Sequence, residues 1–347
     1  MILMLITLFH AYQNEVLDDI AKKFSSSTGI ILLLFVLFYI GTRPINSALF
    51  GDMGVYASIF KKVQAGQNLI IKKDFVFNLF LKYSAKIMDV RVFFFVCSLL
   101  YILPCYLFSK KYGGKYWFFV FFIFVGSYMF WPFGTNGIRN GLGTSIFILG
   151  ICFYDRKILM YALMALAFGM HSSVIIPIAA FAVSGIYKNP KAYLYIWLAA
   201  IPLSLVGGGF WESLFGGLGF GGDTRAEDYL TKENADKDVF AYTGFRWDFL
   251  FYSSFAAFAG WYFIFKKEIT DKFYIHLWGT YMIANAFWIL IIRANFSNRF
   301  AYLSWFLMAP VIAYPMLRYK LFPNQYRIVG LVLAFYYLFT YFMFLRG

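Results

Sequence analysis

At the ends of this chain's apolar stretches stands a sparse set of basic side chains: Arg43, Arg139, Arg246, Arg293 and Arg299, with His171 beside them. No lysine joins the set, although the short polar loops elsewhere are rich in lysine. The choice is chemical. A guanidinium offers a planar fork of donors that holds phosphate or carboxylate bidentately, whereas an ammonium is a compact point charge on a flexible stem. Arg139, in "NGIRNGLGTS", opens a predicted helix, where unpaired N–H groups and the dipole add to the attraction for an anion. Nearby groups able to take a proton from a hydroxyl are Asp52, in "GTRPINSALFGDMGVY", and His171, in "ALAFGMHSSVIIP". Asp248, two residues after Arg246 in "FRWDF", is a third. The blander readings stand beside these: a solvated carboxylate, a helix-end histidine bonded to Ser172, Ser173 or a carbonyl, and arginines snorkelling to head groups.

Membrane-crossing elements must hold these side chains. The chain is 61% hydrophobic and 23% aromatic, with 45 Phe and 27 Tyr, more than a water-soluble core needs. A bilayer core is roughly 30 Å thick, so each helical crossing takes about 20 mostly apolar residues. Candidate spans are 28–42, 91–109, 116–132, 138–154, 157–170, 172–187, 192–209, 247–265, 273–292, 299–317 and 326–345. "MILMLITLFHAY" is read as a further span, because no basic segment precedes it and no small-residue cleavage site follows it. The expected fold is all-α, a polytopic bundle of about twelve transmembrane helices, or about eleven if residues 1–12 lie in the interface. Residues 1–347 are expected to form a single transmembrane domain, with outer-face loops 43–90 and 208–246 forming part of a cavity.

Lysine and arginine in short loops set the orientation. The loops 109–115, 155–157, 187–191, 266–272 and 318–327 carry them and are placed in the cytoplasm. The opposite set, 43–90, "WPFGTNGIR", "GMHSS", 208–246 and "RANFSNR", is then on the outer face, together with the sparse arginines. The loop 210–246 has seven acids and four bases, which suits that side, whereas 43–90 has seven bases and three acids. "IFKKVQAGQNLIIKKDFVFNLFLKYSAKIM" within it has the pattern of surface-lying amphipathic helices. The net charge of +14 is scattered through short loops, so it indicates topology and anionic lipid, with no basic domain for nucleic acid. Asp236 and Asp238 have D-x-D spacing but sit in a charged loop among lysines, so no metal site is expected. The glycine-rich approach "VGGGFWESLFGGLGFGGDTR" reads as a lid, whose Trp211, Phe210, Phe215 and Phe220 either stack on sugars or dip into the membrane interface.

Taken in order, "GTRPINSALFGDMGVY", an acidic residue opening an apolar helix in "KKDFVFNLF", "IRNGLGTS", "HSS" and the Arg299–Tyr302 pair resemble one family. It is the EpsG-like branch of the Wzy-type O-antigen and exopolysaccharide polymerases. Asn140 stands where that family usually has Gln, and Gly143 where it usually has Ala.

The resemblance implies a glycosyltransferase of GT-C-like architecture in the bacterial inner membrane, working on the periplasmic face. It implies polymerisation of undecaprenyl-pyrophosphate-linked repeat units, with lipid-linked donor and acceptor and membrane lipids as partners, and a chain-length regulator as another. No cofactor is expected. Asp52, His171 and Arg139 are the catalytic candidates. Arg139, Arg299, Arg246, Arg293 and Arg43 are candidates for the pyrophosphate, and Tyr56, Asn136, Asn140, Tyr302 and Trp211 for glycan. A flippase for lipid-linked glycans and a ligase-like transferase with a different acceptor are the alternatives; a flippase would favour an internal repeat, which the sequence does not display.

Overall fold

A computed structural model describes residues 2–16, 18–46, 49–68, 71, 73–217, 244–294 and 297–346, which are mostly helical with no strand among them. The helices divide into two compact units, residues 1–174 with 316–347, and residues 175–315. Among the described residues, five helical segments are long and apolar enough to cross a membrane: Lys23–Gly41, Val90–Val125, Pro190–Phe215, Ser297–Arg318 and Gln325–Leu345. Shorter apolar helices cover Ile138–Cys152, Lys157–Met170 and Ser172–Ile186.

The first unit contains α1 (Ile2–Val16), α2 (Asp18–Gly41), α3 (Gly51–Gln64), α4 (Phe75–Ile87), α5 (Val90–Gly113), α6 (Trp117–Val125), α7 (Phe130–Thr135), α8 (Ile138–Cys152) and α9 (Lys157–Met170). Helix α5 starts where Asp89 accepts from the N–H groups of Arg91 and Val92, at 2.7 and 3.1 Å. Each residue of α6, "WFFVFFIFV", is buried. A helix apolar on all sides belongs inside protein, and α6 is packed by α1, α2 and α5.

The stretch 116–132, read from sequence as one span, is therefore broken. The helix stops at Val125 and restarts as α7 at Phe130. Side chains satisfy backbone carbonyls around the break: Ser127 Oγ donates to Ile123 O at 2.7 Å, and Trp131 Nε1 to Val125 O at 3.0 Å. The break delivers the turn after α7, with Thr135 and Asn136, to the start of α8. The region 43–90, a loop between spans by composition, contains the helices α3 and α4.

The second unit contains α10 (Ile175–Ile186), α11 (Pro190–Gly217), α12 (Trp247–Trp261), α13 (Lys272–Leu290), α14 (Ser297–Trp305) and most of α15 (Met308–Arg318). The chain then returns to the first unit in α16 (Gln325–Arg346). Polar residues pin the interior of the second unit. Trp197 Nε1 donates to Asn285 Oδ1 at 2.7 Å, and Asn285 Nδ2 donates to Ser304 Oγ at 2.9 Å and Ser253 Oγ at 3.2 Å. One amide thus joins α11, α12, α13 and α14, and Asn285, Ser253 and Ser304 are fully buried. The outward faces are apolar, as lipid requires: Phe35 of α2, Val206 of α11 and Phe344 of α16 are all exposed.

Helix α11 corrects the expected boundary of an outer loop at 208. The segment is helical to Gly217, with a kink at Gly207 (φ −125°, ψ 28°). At the kink Trp211 Nε1 donates to Leu203 O at 3.2 Å, and Arg293 Nη2 to Leu205 O at 3.3 Å. Phe210, Trp211 and Phe215, read as part of a lid, are residues of this helix; the remainder of that stretch, 218–225, lies outside the described residues.

Replacing Asn285 by Ala leaves the Trp197 donor and the two serines without their shared partner. A loss of about 1–2 kcal/mol is expected, read as a lowered unfolding temperature in detergent.

Candidate functional site

Arg139 lies in the first turn of α8, after Gly137, which has no side chain to cap the helix. The residues just before it serve neighbouring elements. Thr135 O accepts from Arg43 Nη2 at 2.9 Å, and Asn136 Oδ1 accepts from the Asp52 N–H at 2.9 Å. Asn136 thus caps α3 from a distance, since Phe50 at that helix's own N-cap makes no side-chain bond. Arg43 is buried; it also donates to Ile40 O and lies 5.8 and 5.7 Å from the ring centres of Phe50 and Phe94.

One turn after Asp52, α3 presents Tyr56, whose hydroxyl accepts from Arg139 Nε at 2.7 Å. Burial pushes the Tyr56 phenol up to about 12 against the opposing charge of Arg139, so it remains neutral at physiological pH. Arg139 Nη1 donates to Asp74 Oδ2 at 2.6 Å. Asp74 Oδ1 accepts from the Ser172 N–H at 2.9 Å, and His171 Nδ1 lies 3.3 Å from Oδ2. The carboxylate therefore collects groups from α8 and from the turn after α9.

Asp74 gives up local comfort to do this. It occupies the N-cap of α4 in the left-handed region (φ 50°, ψ 52°), and its side chain makes no bond to that helix. An aspartate normally stabilises such a cap by about 0.5–2 kcal/mol, and a left-handed backbone costs roughly another 1 kcal/mol. The tertiary pairing offsets both. The Asp74 side chain is 3% exposed, against 29% for Arg139 and 19% for His171. Burial opposes its ionisation, but the hydrogen bond from His171, the charge of Arg139 and the Ser172 N–H prevail and hold the carboxyl below the usual range.

Small residues permit the approach. A Cβ on Gly143 would stand 2.8 Å from Val174 Cγ2 and 3.1 Å from Ala167 O, so this position lets the end of α9 and His171 lie against α8. A Cβ on Gly169 would stand 2.3 Å from Val76 Cγ2, so this position admits the first turn of α4 and with it Asp74. The glycines of "NGIRNGLGTS" serve the packing of neighbouring backbone.

Among the sequence candidates, Arg139, Tyr56, His171, Asp52, Asn136 and Arg43 are gathered in the first unit by these bonds. Asn140 is there too, buried, with an Oδ1 that makes no hydrogen bond within the protein. Arg246, Arg293, Arg299, Tyr302 and Trp211 belong to the second unit. There Arg246 is held bidentately by Asp248, at 3.0 and 2.7 Å, over the ring of Phe249. Arg293 and Trp211 serve the kink of α11, Arg299 is exposed at the start of α14, and Tyr302 is buried beside Phe306. Among the described residues no group of His, Cys, Asp and Glu could hold a metal ion. Asp236 and Asp238 lie outside the described residues.

The model of the EpsG family matches residues 3–346. The chain belongs to the EpsG family. That family is associated with Wzy-type polymerases, and membership points to a polymerase-like role in polysaccharide biosynthesis. No curated protein and no solved structure matches the chain.

In this EpsG-family chain the residue that sequence reasoning left without a role is Asp74. "KKDFVFNLF" marks it as an acid opening an apolar helix, but its partners are 65 and 97 positions away, at Arg139 and His171. The readable signal is a carboxylate at a helix start.

Gly169→Val should push α4 from α9 and cost about 1–3 kcal/mol, measured by thermal unfolding in detergent against Gly51→Ala, whose added methyl meets nothing within 4 Å. A second expectation concerns pH. The carboxyl of Asp74 is held below the ordinary 3.8, so its pairing stabilises the fold fully above that value and is lost as pH falls through the lowered one. The stability gap between wild type and Asp74→Asn should be full at about pH 6 and should narrow as the pH is taken into the acid range below the ordinary carboxylate value.

Proposed function

We propose that this EpsG-family chain is a polysaccharide polymerase that transfers a growing glycan from undecaprenyl pyrophosphate to a hydroxyl of an incoming lipid-linked repeat unit. The reading places about twelve spans in the bacterial inner membrane, with the reaction on the periplasmic face. The observation that carries it is the convergence on Arg139: a guanidinium at a helix start, braced by a buried carboxylate and a neutral phenol from two other helices.

Pyrophosphate is a capable leaving group, so the main demands are holding two lipids in register and neutralising charge as the glycosidic bond breaks. Arg139 is assigned the pyrophosphate. Arg43 is the second candidate, because its buried Nε makes no hydrogen bond within the protein, and Arg299 the third. Arg246 and Arg293 have lesser parts, since each already holds a partner within the second unit. Asp52 and His171 are the candidates for accepting the hydroxyl proton. Tyr56, Asn136 and Asn140, gathered in the first unit with Arg139, are assigned to glycan.

The test is purified protein in detergent with a synthetic undecaprenyl-pyrophosphate repeat unit, followed by mass spectrometry. Longer glycans are the expected product. Recovery of the starting repeat alone, with reconstituted vesicles moving the lipid across the bilayer, would replace the polymerase by a flippase. Arg139→Lys should lower turnover by about 100-fold or more, with expression and monodispersity intact, because an ammonium cannot reproduce the fork. Unchanged turnover removes Arg139 from the site.

A further inference from the structure

We infer that Asp74 is the positioning residue for His171, taking the imidazole's Nδ1–H and leaving Nε2 as the lone pair that receives the acceptor hydroxyl's proton. The inference rests on the polymerase reading and decides between its two candidate bases.

The argument begins with which atoms are occupied. Asp74 Oδ1 is fixed by the Ser172 N–H, the residue next to His171, and Oδ2 is shared between Arg139 Nη1 and His171 Nδ1. An ionised carboxylate only accepts, so the nitrogen facing it must carry a hydrogen. The neutral imidazole then has its lone pair on the opposite nitrogen. Asp74 itself is sealed, with its lone pairs directed at protein donors, whereas His171 keeps part of its side chain open. Asp74 therefore cannot meet a sugar, and His171 can.

The backbone is arranged for this purpose. Asp74 is left-handed and does not cap α4, so its carboxylate is turned away from its own helix and towards α8 and the turn after α9. The close approaches at Gly143 and Gly169 set the spacing from two directions. For Asp52, in contrast, the backbone N–H is anchored by Asn136, while no described group bonds its carboxylate.

In the reaction the acceptor O–H bond breaks and its proton passes to His171 Nε2. The oxygen's electron pair forms the new bond to the anomeric carbon. The bond from that carbon to the pyrophosphate oxygen breaks, and undecaprenyl pyrophosphate departs with the electron pair. The imidazolium, facing the Asp74 carboxylate, then yields its proton to water. Among the described residues, the charged and titratable groups around His171 are Asp74 from the start of α4 and Arg139 from α8, with Tyr56 and Asp52 of α3 beyond Arg139.

Two readouts test this. The first is nitrogen NMR of histidine-labelled protein in detergent, with the His171 signal assigned by its loss in His171→Gln. The wild type should show the Nδ1–H tautomer, and Asp74→Asn should lose it. The second is steady-state polymerisation of the synthetic repeat unit. Asp74→Asn should lower kcat by about 100-fold or more with KM little changed, and Asp74→Glu should restore part of kcat. A wild-type Nε2–H tautomer, or a kcat unaffected by Asp74→Asn, overturns the assignment. If Asp74→Asn does not fold, Asp74→Glu carries the test: an Nδ1–H tautomer kept together with part of kcat supports it, and an Nδ1–H tautomer kept with kcat lost overturns it. A wild type that shows the Nδ1–H tautomer but lengthens no glycan overturns the polymerase reading and supports the pairing.

Discussion

A carboxylate withdrawn from water has to be surrounded by donors, and Asp74 meets that condition with groups from other parts of the first unit. Arg139 reaches it from α8, and Ser172 and His171 from the turn after α9. Removing one partner from such a buried pair typically costs about 3–5 kcal/mol, because the other is left uncompensated. The positions of α4, α8 and α9 are therefore coupled through one functional group. Tyr56 extends the coupling to α3, and Asn136 closes the circuit by capping that helix from the turn before Arg139.

The same group sets the character of the arginine. Most of the basic residues at span ends are occupied by structural tasks: Arg246 by Asp248, Arg293 by a carbonyl at the kink of α11. Arg139 also has a protein partner, but that partner is itself divided among several donors, so the guanidinium is oriented without being fully neutralised. Under the polymerase reading, an anion arriving there meets a guanidinium already oriented, which avoids reorganisation at the moment charge develops.

How far the sequence discloses this depends on the distance over which each feature is decided. Apolar runs are local, and the helices follow them, because backbone in lipid has to bond to itself. The break between α6 and α7 is not local. It depends on Ser127, Trp131 and the Tyr337 ring that lies where a side chain at Gly126 would go. Arg139 and His171 were legible as chemistry because their residue types are unusual beside apolar spans. Asp74 was legible only as a helix opener, since nothing within "KKDFVFNLF" records which way its carboxylate turns. The glycines of "NGIRNGLGTS" were legible as positions of close approach, but only packing reveals that Phe133 O, beside Gly141, and the end of α9, beside Gly143, are what approach.

The return of α16 to the first unit has a consequence for how the molecule is made. Glu15 of α1 accepts from the backbone of Tyr326 at the start of α16, at 2.7 Å, and Ala11 packs against Gly330. During synthesis the ribosome therefore releases α1 long before its partner exists, with the whole of residues 175–315 translated in between. Until then the apolar face of α1, and the side of α6 that α16 covers, are matched only by lipid or by an assisting protein. A nine-residue helix spans roughly 14 Å, less than half a bilayer's hydrocarbon, so α6 is poorly suited to waiting alone. The first unit is thus closed only after the second has been translated, by a helix that follows it in the chain.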